Sequence, residues 1–188
     1  MDTLVKHLNQ PGQIAVIPTD TVYGVVARAA DPLAVKRLYD LKHRERKPGT
    51  LVAASIDQLV ELGFERSSFK GADSFWPGAV SVITDCGETL DYIHQGIGSL
   101  AIRIPNDPWL LELLQRTGPL LTSSANQPGE PPATTVIEAR NYFGGDVSLY
   151  EDGGVVNREP STVIRIVGDT IQVVRAGAAT VSPRRPNL

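Results

Sequence analysis

Short apolar runs alternate with strong helix-start signals along most of this chain. Runs of this length, bounded by proline, glycine or polar residues, are typical of β-strands. Asp31-Pro32 and Asp107-Pro108 each place a capping carboxylate before a proline at the first helical position, so each predicts the start of a helix. Strands interleaved with helices predict an α/β protein. Strand pairs joined by short turns favour a mixed sheet over a doubly wound parallel one.

The individual elements follow from the same signals. The predicted strands are Ile14–Ile17, a run from Val25, Leu51–Ala54, Ala79–Thr84, Ser99–Ile104, Leu120-Leu121, Val147–Tyr150, and a hairpin of Ser161–Val167 with Thr170–Val174. The predicted helices are a short N-terminal one, Asp31 to about Lys42, Ser55 to Gly63, Asn106 to Gly118, and Thr135 to about Phe143. Glu65–Ser74 receives no element, and Glu88–Gly98 is expected to be irregular.

Composition places the chain among ordinary globular proteins. With 188 residues, 41% hydrophobic and 21% charged, we expect one domain over residues 1–180 and a flexible tail over 181–188. No apolar run approaches the roughly 20 residues that a membrane helix needs, and the N-terminus lacks an apolar signal core. A single cysteine, Cys86, excludes an internal disulfide and fits a reducing compartment. We therefore expect a cytoplasmic protein with no membrane partner.

The segment Thr19–Gly24 lies between two apolar runs and carries three hydroxyls and a carboxylate. Pro18 cannot donate to a sheet ladder, so it predicts the end of the first strand. In one interpretation the segment presents hydroxyls to a small polar ligand from a rigid support. In the other, its hydroxyls bond only to their own backbone in a turn. The stretch alone leaves both open.

Fixed cations and small polar groups make up the remaining candidates. Lys42 and Arg44 stand two residues apart at a helix end, where they either converge on one anion or remain a solvated basic helix end. Arg103 interrupts an apolar strand, where a charge is costly unless it is paired or faces solvent or a ligand. Thr122–Asn126 offers hydroxyls and an amide at a strand end, where α/β proteins often bind ligands.

Several familiar catalytic motifs are missing from the sequence. It contains no GxxxxGK[ST], GxGxxG, HExxH or GxSxG, and its three histidines lack metal-ligand spacing. We therefore expect no metal site built by the protein. Hydroxyls, amides and cations suit the positioning of an anionic substrate better than covalent catalysis.

Seven motifs occur in one order along nearly the whole chain. They are Pro18–Gly24, Lys42-His43-Arg44, Trp76-Pro77-Gly78, Ala101–Pro105, Ser124-Ala125-Asn126, Ser161-Thr162-Val163 and Arg175-x-Gly177. In this order the chain resembles the short, single-domain form of the YrdC/Sua5 family of threonylcarbamoyl-AMP synthases. The resemblance implies a YrdC-like α/β (α+β type) fold: a twisted open mixed sheet with surrounding helices and a concave basic groove.

The resemblance also implies an activity. L-threonine, bicarbonate and ATP would give L-threonylcarbamoyladenylate and pyrophosphate, a nucleotidyltransferase reaction that serves the t6A37 modification of tRNA. Mg²⁺ would accompany the triphosphate, held by phosphate oxygens and water. The implied partners are a downstream threonylcarbamoyl-transferase complex and weak binding of tRNA or RNA.

Site residues are implied motif by motif. Lys42 and Arg44 would be catalytic, neutralising the phosphates and the attacking carbamate. Threonine and bicarbonate would be bound by Thr19, Tyr23, Arg103, Thr122 and Ser161. ATP would be bound by Lys42, Arg44, Lys47, Ser124, Asn126 and Arg175.

The chain departs from the family pattern at three places. Glu45-Arg46 replaces a proline in a spacer one residue shorter, Gly49 replaces a leucine, and Arg165 stands where an acidic residue is common. The first two leave the role of Lys47 open. The rival hypothesis is an RNA-binding or ribosome-maturation protein of the same fold without turnover. A pI of about 5.6, 6% aromatic residues and no visible stacking platform disfavour it.

Overall fold

The computed structural model describes residues 1–182. Within that range nine strands form one sheet: β1 (Ile14–Ile17), β2 (Gly24–Arg28), β3 (Thr50–Val52), β4 (Val80–Asp85), β5 (Ser99–Arg103), β6 (Leu120–Ser124), β7 (Leu149–Tyr150), β8 (Thr162–Val167) and β9 (Thr170–Arg175). The helices are α1 (Asp2–Leu8), α2 (Pro32–Leu41), α3 (Ile56–Leu62), α4 (Asp91–His94), α5 (Pro108–Thr117) and α6 (Val136–Phe143).

The sheet is mixed, as predicted. Its strand order is β7-β1-β2-β6-β3-β5-β4-β8-β9. The pairs β1–β7, β3–β5 and β4–β8 are parallel, and the other neighbours are antiparallel. The predicted hairpin of β8 and β9 is confirmed.

Local capping chemistry fixes the helix starts. The Asp31 carboxylate accepts hydrogen bonds from the Leu33 and Ala34 backbone N–H groups of α2, and the Asp107 carboxylate accepts one from the Leu110 N–H of α5. Ser55 caps α3, which ends at Gly63 in the left-handed region with φ of 119°. These starts and stops are confirmed.

The structure differs from the predictions in three segments. β6 runs on to Ser124, so the hydroxyls of Thr122 and Ser124 lie within a strand, because β2 and β3 pair with it on either side. Glu88–Gly98 is more regular than expected, since it contains a 3₁₀ turn and α4, which bury Leu90 and Ile93. The unassigned 65–74 region forms two 3₁₀ turns, Arg66–Phe69 and Ala72–Phe75.

Two apolar clusters lie on opposite faces of the sheet. In β1, Ile14 and Val16 belong to the larger cluster, whereas Ala15 and Ile17 belong to the smaller one. Successive strand residues point to opposite faces, so this alternation separates the clusters. The larger cluster includes residues of α2, α3, α4 and α6, and the smaller one includes residues of α1 and α5.

Helices α1 and α5 cover only part of their face of the sheet. β2, β3 and β6 give Val26, Val52 and Leu120 to the smaller cluster. Two residues along each of these strands, and therefore on the same face, Gly24, Thr50 and Thr122 line a cavity. The uncovered part of this sheet face is therefore the place where a ligand could lie against the strands.

Two predictions concern the whole chain: a flexible tail over 181–188 and a cytoplasmic location. Residues 183–188 of the predicted tail lie outside the described residues, and Val181 packs against the larger cluster. Among the helices of residues 1–182, none has the length and apolar character needed to span a bilayer. The cytoplasmic location stays a prediction.

Candidate active site

A cavity of about 260 Å³ occupies the uncovered sheet face. Its lining residues come from β2, β3, β5, β6, β8 and the end of β9, and from the loops next to these strands. The polar or charged residues of its wall are Thr19, Thr21, Arg44, Thr50, Arg103, Thr122, Ser123, Ser124, Ser161 and Arg175. Within the described chain this lining contains three arginines and no carboxylate, so the cavity is built for an anion.

Arg103 projects from β5 into this wall and is 3% exposed. Its Nη2 donates to Asp20 Oδ1 at 2.8 Å, whereas its buried Nε has no hydrogen-bond partner in the structure. Burial raises the pKa of Asp20, and the nearby Arg103 only partly offsets that rise. Asp20 thus holds one side of the guanidinium of this cavity-lining arginine.

Arg175 stands at the end of β9 and is oriented by Ser161. Its Nη2 donates to the Ser161 carbonyl at 2.6 Å and to Ser161 Oγ at 3.3 Å. That hydroxyl also lies 2.9 Å from Ser81 Oγ. Burial, and then the like charge of Arg44, lower the pKa of Arg175. Arg44 and Arg175 therefore face a common space in which an anion would relieve their repulsion.

Arg44 reaches the cavity from the loop that follows α2. Its Nη1 lies 3.4 Å from the carbonyl oxygens of both Lys47 and Pro48. Burial lowers its pKa. In this loop His43 and Arg46 adopt left-handed φ angles of 47° and 52°, so the backbone turns sharply on either side of Arg44.

Both interpretations of the Thr19–Gly24 segment hold in part. Thr19 Oγ1 donates to the Val22 carbonyl at 2.6 Å and accepts from the Thr21 backbone N–H at 3.2 Å, so it does close its own turn. Yet Thr19, Thr21 and Gly24 also line the cavity. The turn is rigid and faces the ligand space at the same time.

Two glycines let the backbone pass close to Thr122. A Cβ on Gly24 would lie 2.6 Å from Thr122 Oγ1, and a Cβ on Gly49 would lie 2.5 Å from the Thr122 carbonyl oxygen. Only glycine fits at these approaches. The departure from leucine at position 49 therefore has a steric reason here.

Lys42 lies behind the cavity wall and holds the loop after β6. Its Nζ donates to the Ser124 carbonyl at 2.8 Å, to Asn126 Oδ1 at 3.1 Å and to the Asn126 carbonyl. The ammonium also lies 5.6 Å from the centroid of the Phe143 ring. Burial, and then Arg44, lower the pKa of Lys42 to about 8.

Comparisons with known proteins identify the family of this chain. The family model Sua5_yciO_yrdC, described as "Telomere recombination", matches residues 7–177. The chain belongs to the Sua5/YciO/YrdC family. The predicted family and the predicted fold class are both confirmed.

Relatives of the family show how far the likeness extends. A protein of Mycobacterium tuberculosis (strain CDC 1551 / Oshkosh) is 36% identical over 172 residues, which is 88% of this chain and 79% of that protein. The threonylcarbamoyl-AMP synthase of Klebsiella pneumoniae is 34% identical over 155 residues, 79% of this chain and 81% of its own. The crystal structure of P. abyssi Sua5 complexed with L-threonine superposes with a TM-score of 0.82 at 30% identity. That match covers 93% of this chain and 53% of the Sua5 chain, so this chain spans about half its length.

The cavity brings together seven of the site residues that the resemblance implies. They are Thr19, Arg44, Arg103, Thr122, Ser124, Ser161 and Arg175. For a chain of this family, the convergence of residues from so many separate motifs is the main structural support for the site.

The other four implied residues lie outside the cavity lining. Lys42 and Asn126 hold the loop after β6, where Asn126 Oδ1 also accepts from Ser124 Oγ at 2.6 Å. Tyr23 is fully buried, and its hydroxyl donates to the Gly154 carbonyl at 2.9 Å. Lys47 is exposed within the basic loop, the segment from Lys42 to Gly49 that carries Arg44. Their ligand contacts stay predictions.

Sequence reasoning missed several contributors to the site. Asp20 was part of a motif but not assigned as the partner of Arg103. Gln95, which contacts the basic loop, carried no recognisable signal. Arg165 pairs with Asp85 at 3.5 Å, outside the lining of the cavity. Across residues 1–182 no three His, Cys, Asp or Glu side chains gather in an arrangement that would hold a metal ion.

Proposed function

We propose that this chain is a threonylcarbamoyl-AMP synthase, a nucleotidyltransferase that forms L-threonylcarbamoyladenylate and pyrophosphate from L-threonine, bicarbonate and ATP. The observation that carries the proposal is the convergence of Arg44, Arg103 and Arg175 in a cavity without a lining carboxylate. Relatives with this name and a Sua5 structure with L-threonine support it.

The reaction needs such a charge arrangement because two anions must meet. The threonine amine and bicarbonate give a carbamate and water, and a carbamate oxygen then attacks the α-phosphorus of ATP. The bond from that phosphorus to the bridging oxygen breaks, and pyrophosphate leaves. Arginines fixed before the substrates arrive lower the repulsion between carbamate and phosphate.

Arg103 and the surrounding hydroxyls suit the threonine end of the site. The guanidinium of Arg103, which lines the cavity and is held by Asp20, is the donor for the threonine carboxylate. Thr19, Thr122 and Ser161 stand nearby in the lining and supply neutral hydrogen bonds. Arg44 and Arg175, which face a common space, suit the phosphates of ATP.

Mg²⁺ enters this proposal as the companion of ATP. The ion would be held mainly by phosphate oxygens and water, since Mg²⁺ is rarely bound by a cage made of protein ligands alone. It would neutralise part of the triphosphate charge. The tRNA and the threonylcarbamoyl-transferase complex remain proposed partners of the product, whose mixed anhydride must pass to a group-transfer enzyme.

The RNA-binding alternative has less support. Single-stranded RNA is commonly bound by stacking its bases on aromatic side chains. No residue of the cavity lining in the described chain is aromatic, and its arginines lie in a pocket and not on an open surface. The cavity suits a small anion better than a nucleic acid.

Product identification tests the proposed function. The protein would be incubated with ATP, Mg²⁺, L-threonine and ¹³C-bicarbonate, and the nucleotides would be separated rapidly and weighed by mass spectrometry. The proposal predicts an adenylate that carries both threonine and one ¹³C. Hydrolysis of ATP to AMP or ADP alone would contradict it.

A further inference from the structure

Gln95 lies just after α4, in a segment with no functional motif. Its side chain is hydrogen-bonded to the basic loop, which carries Arg44. Its Nε2 donates to the Arg44 carbonyl at 3.0 Å, and its Oε1 accepts from the Lys47 backbone N–H at 2.9 Å. One amide thus bonds to both sides of the basic loop. Its orientation is unambiguous because one end faces a carbonyl and the other an N–H.

The basic loop needs such support because its backbone is strained. His43 and Arg46, both non-glycine residues, adopt left-handed φ angles on either side of Arg44. Gln95 itself, at the end of α4, also has a left-handed φ of 53°. Strained conformations of this kind persist only where surrounding contacts determine them.

A second contact ties α4 to the same loop. The Tyr39 hydroxyl donates to the Ile93 carbonyl at 2.5 Å and accepts from the Gly49 backbone N–H at 3.3 Å. Ile93 is fully buried, so α4 is a fixed support. The loop from Lys42 to Gly49 is therefore anchored to α4 at three backbone groups.

We infer that Gln95 is a positioning residue that holds Arg44 at the cavity for the polyphosphate of the nucleotide. The inference rests on the proposed function for the identity of the anion, and on the geometry for the role of the amide. The side-chain amide suits this role because its Nε2 donates to one backbone group while its Oε1 accepts from the other.

Two variants separate this role from simple packing. Gln95→Ala removes both hydrogen bonds, whereas Gln95→Glu keeps the shape and the acceptor but loses the donor to the Arg44 carbonyl. Gln58→Ala is the matched control, because Gln58 also bridges two backbone groups, the Ala54 N–H at 2.9 Å and the Leu114 carbonyl at 2.8 Å. Gln58 does not line the cavity.

The experiment measures dissociation constants for MgATP and for tripolyphosphate by calorimetry, together with amide exchange at Lys47 by NMR. Losing one or two hydrogen bonds should raise both dissociation constants about fivefold to tenfold in Gln95→Ala and Gln95→Glu. Exchange at the Lys47 amide should accelerate in Gln95→Ala and stay slow in Gln95→Glu. Gln58→Ala should leave all three quantities at wild-type values while lowering the melting temperature.

The outcomes separate this inference from the proposed function. Unchanged anion binding in both Gln95 variants would overturn the inference even if the wild type forms the adenylate. Weakened tripolyphosphate binding in those variants would support it even if the wild type makes no adenylate. A wild type that binds neither anion would contradict the inference, since no anion site would then exist for Arg44 to serve.

Discussion

Arg103 illustrates how one residue links the sequence, the fold and the site. A charge within an apolar strand had to be paired or to face solvent or a ligand. The structure pairs it with Asp20 on one side and leaves its Nε without a partner on the other. The sequence could predict the cost of this charge but not its partner, because Asp20 is 83 residues away along the chain.

Removal of the Asp20 side chain should destabilise the folded protein. Asp20→Ala leaves the Arg103 guanidinium buried without its counter-charge, and we expect the free energy of unfolding to fall by about 3 kcal/mol or more. The Michaelis constant for threonine should also rise, because Arg103 loses its fixed orientation. Denaturant unfolding and steady-state kinetics measure the two effects. Asp2→Ala, which breaks an exposed pair with Arg116, is the control and should change neither.

Arg44 should matter for turnover and not for folding. Arg44→Ala removes a half-buried cation that faces the anion space, so we expect adenylate formation to fall at least about a hundredfold, as for loss of one preorganised charged donor. The melting temperature should stay close to the wild-type value. Lys36→Ala removes an exposed cation on α2 and should keep full activity. Near wild-type turnover in Arg44→Ala would exclude Arg44 from the machinery.

Lys42 should titrate far below an ordinary lysine. Its pKa is lowered to about 8, whereas the unfolded chain keeps this proton up to about 10.5. Unfolding therefore takes up a proton between these values, and the contribution of Lys42 to stability rises with pH across that window and is lost as pH falls through 8. The ¹³Cε shift of Lys42 should follow this titration. A midpoint above pH 10 would contradict the burial argument.

At the scale of elements, β6 and its neighbours depend on two glycines. Gly49→Ala would place a Cβ against the Thr122 carbonyl, so β3 and β6 would have to separate. We expect a loss of about 1–3 kcal/mol in the free energy of unfolding, typical of overpacking, with weaker threonine binding. Gly87→Ala is the control, because a Cβ there meets nothing within 4 Å and its φ is an ordinary −77°. Equal free energies of unfolding for the two variants would contradict this prediction, because β3 and β6 would then accommodate the added Cβ without a loss of stability.

Helices and strands could be predicted where nearby residues, such as helix caps, determine them. Asp31-Pro32, Asp107-Pro108 and Ser55 fixed helix starts because capping depends on neighbours a few residues away. β6 was predicted too short because its pairing with β2 and β3 is non-local. The turns of 65–74 were missed because burial of Phe69 and Ala72 depends on the rest of the core.

At the scale of the whole molecule, the cavity results from an incomplete cover. α1 and α5 protect only part of one sheet face, and the remaining part collects residues from motifs spread over the chain. Family motifs gave seven of the lining residues in advance. The roles of Lys42 and Gln95 as supports behind the wall could not be predicted, since both depend on contacts between distant loops.

The most direct test of the central claim is pyrophosphate release from ATP by the purified protein with Mg²⁺, in the presence and absence of L-threonine and bicarbonate. The account predicts release only when both threonine and bicarbonate are present, and its loss in Arg44→Ala. Release that needs neither substrate, or no release under any combination, would contradict the account.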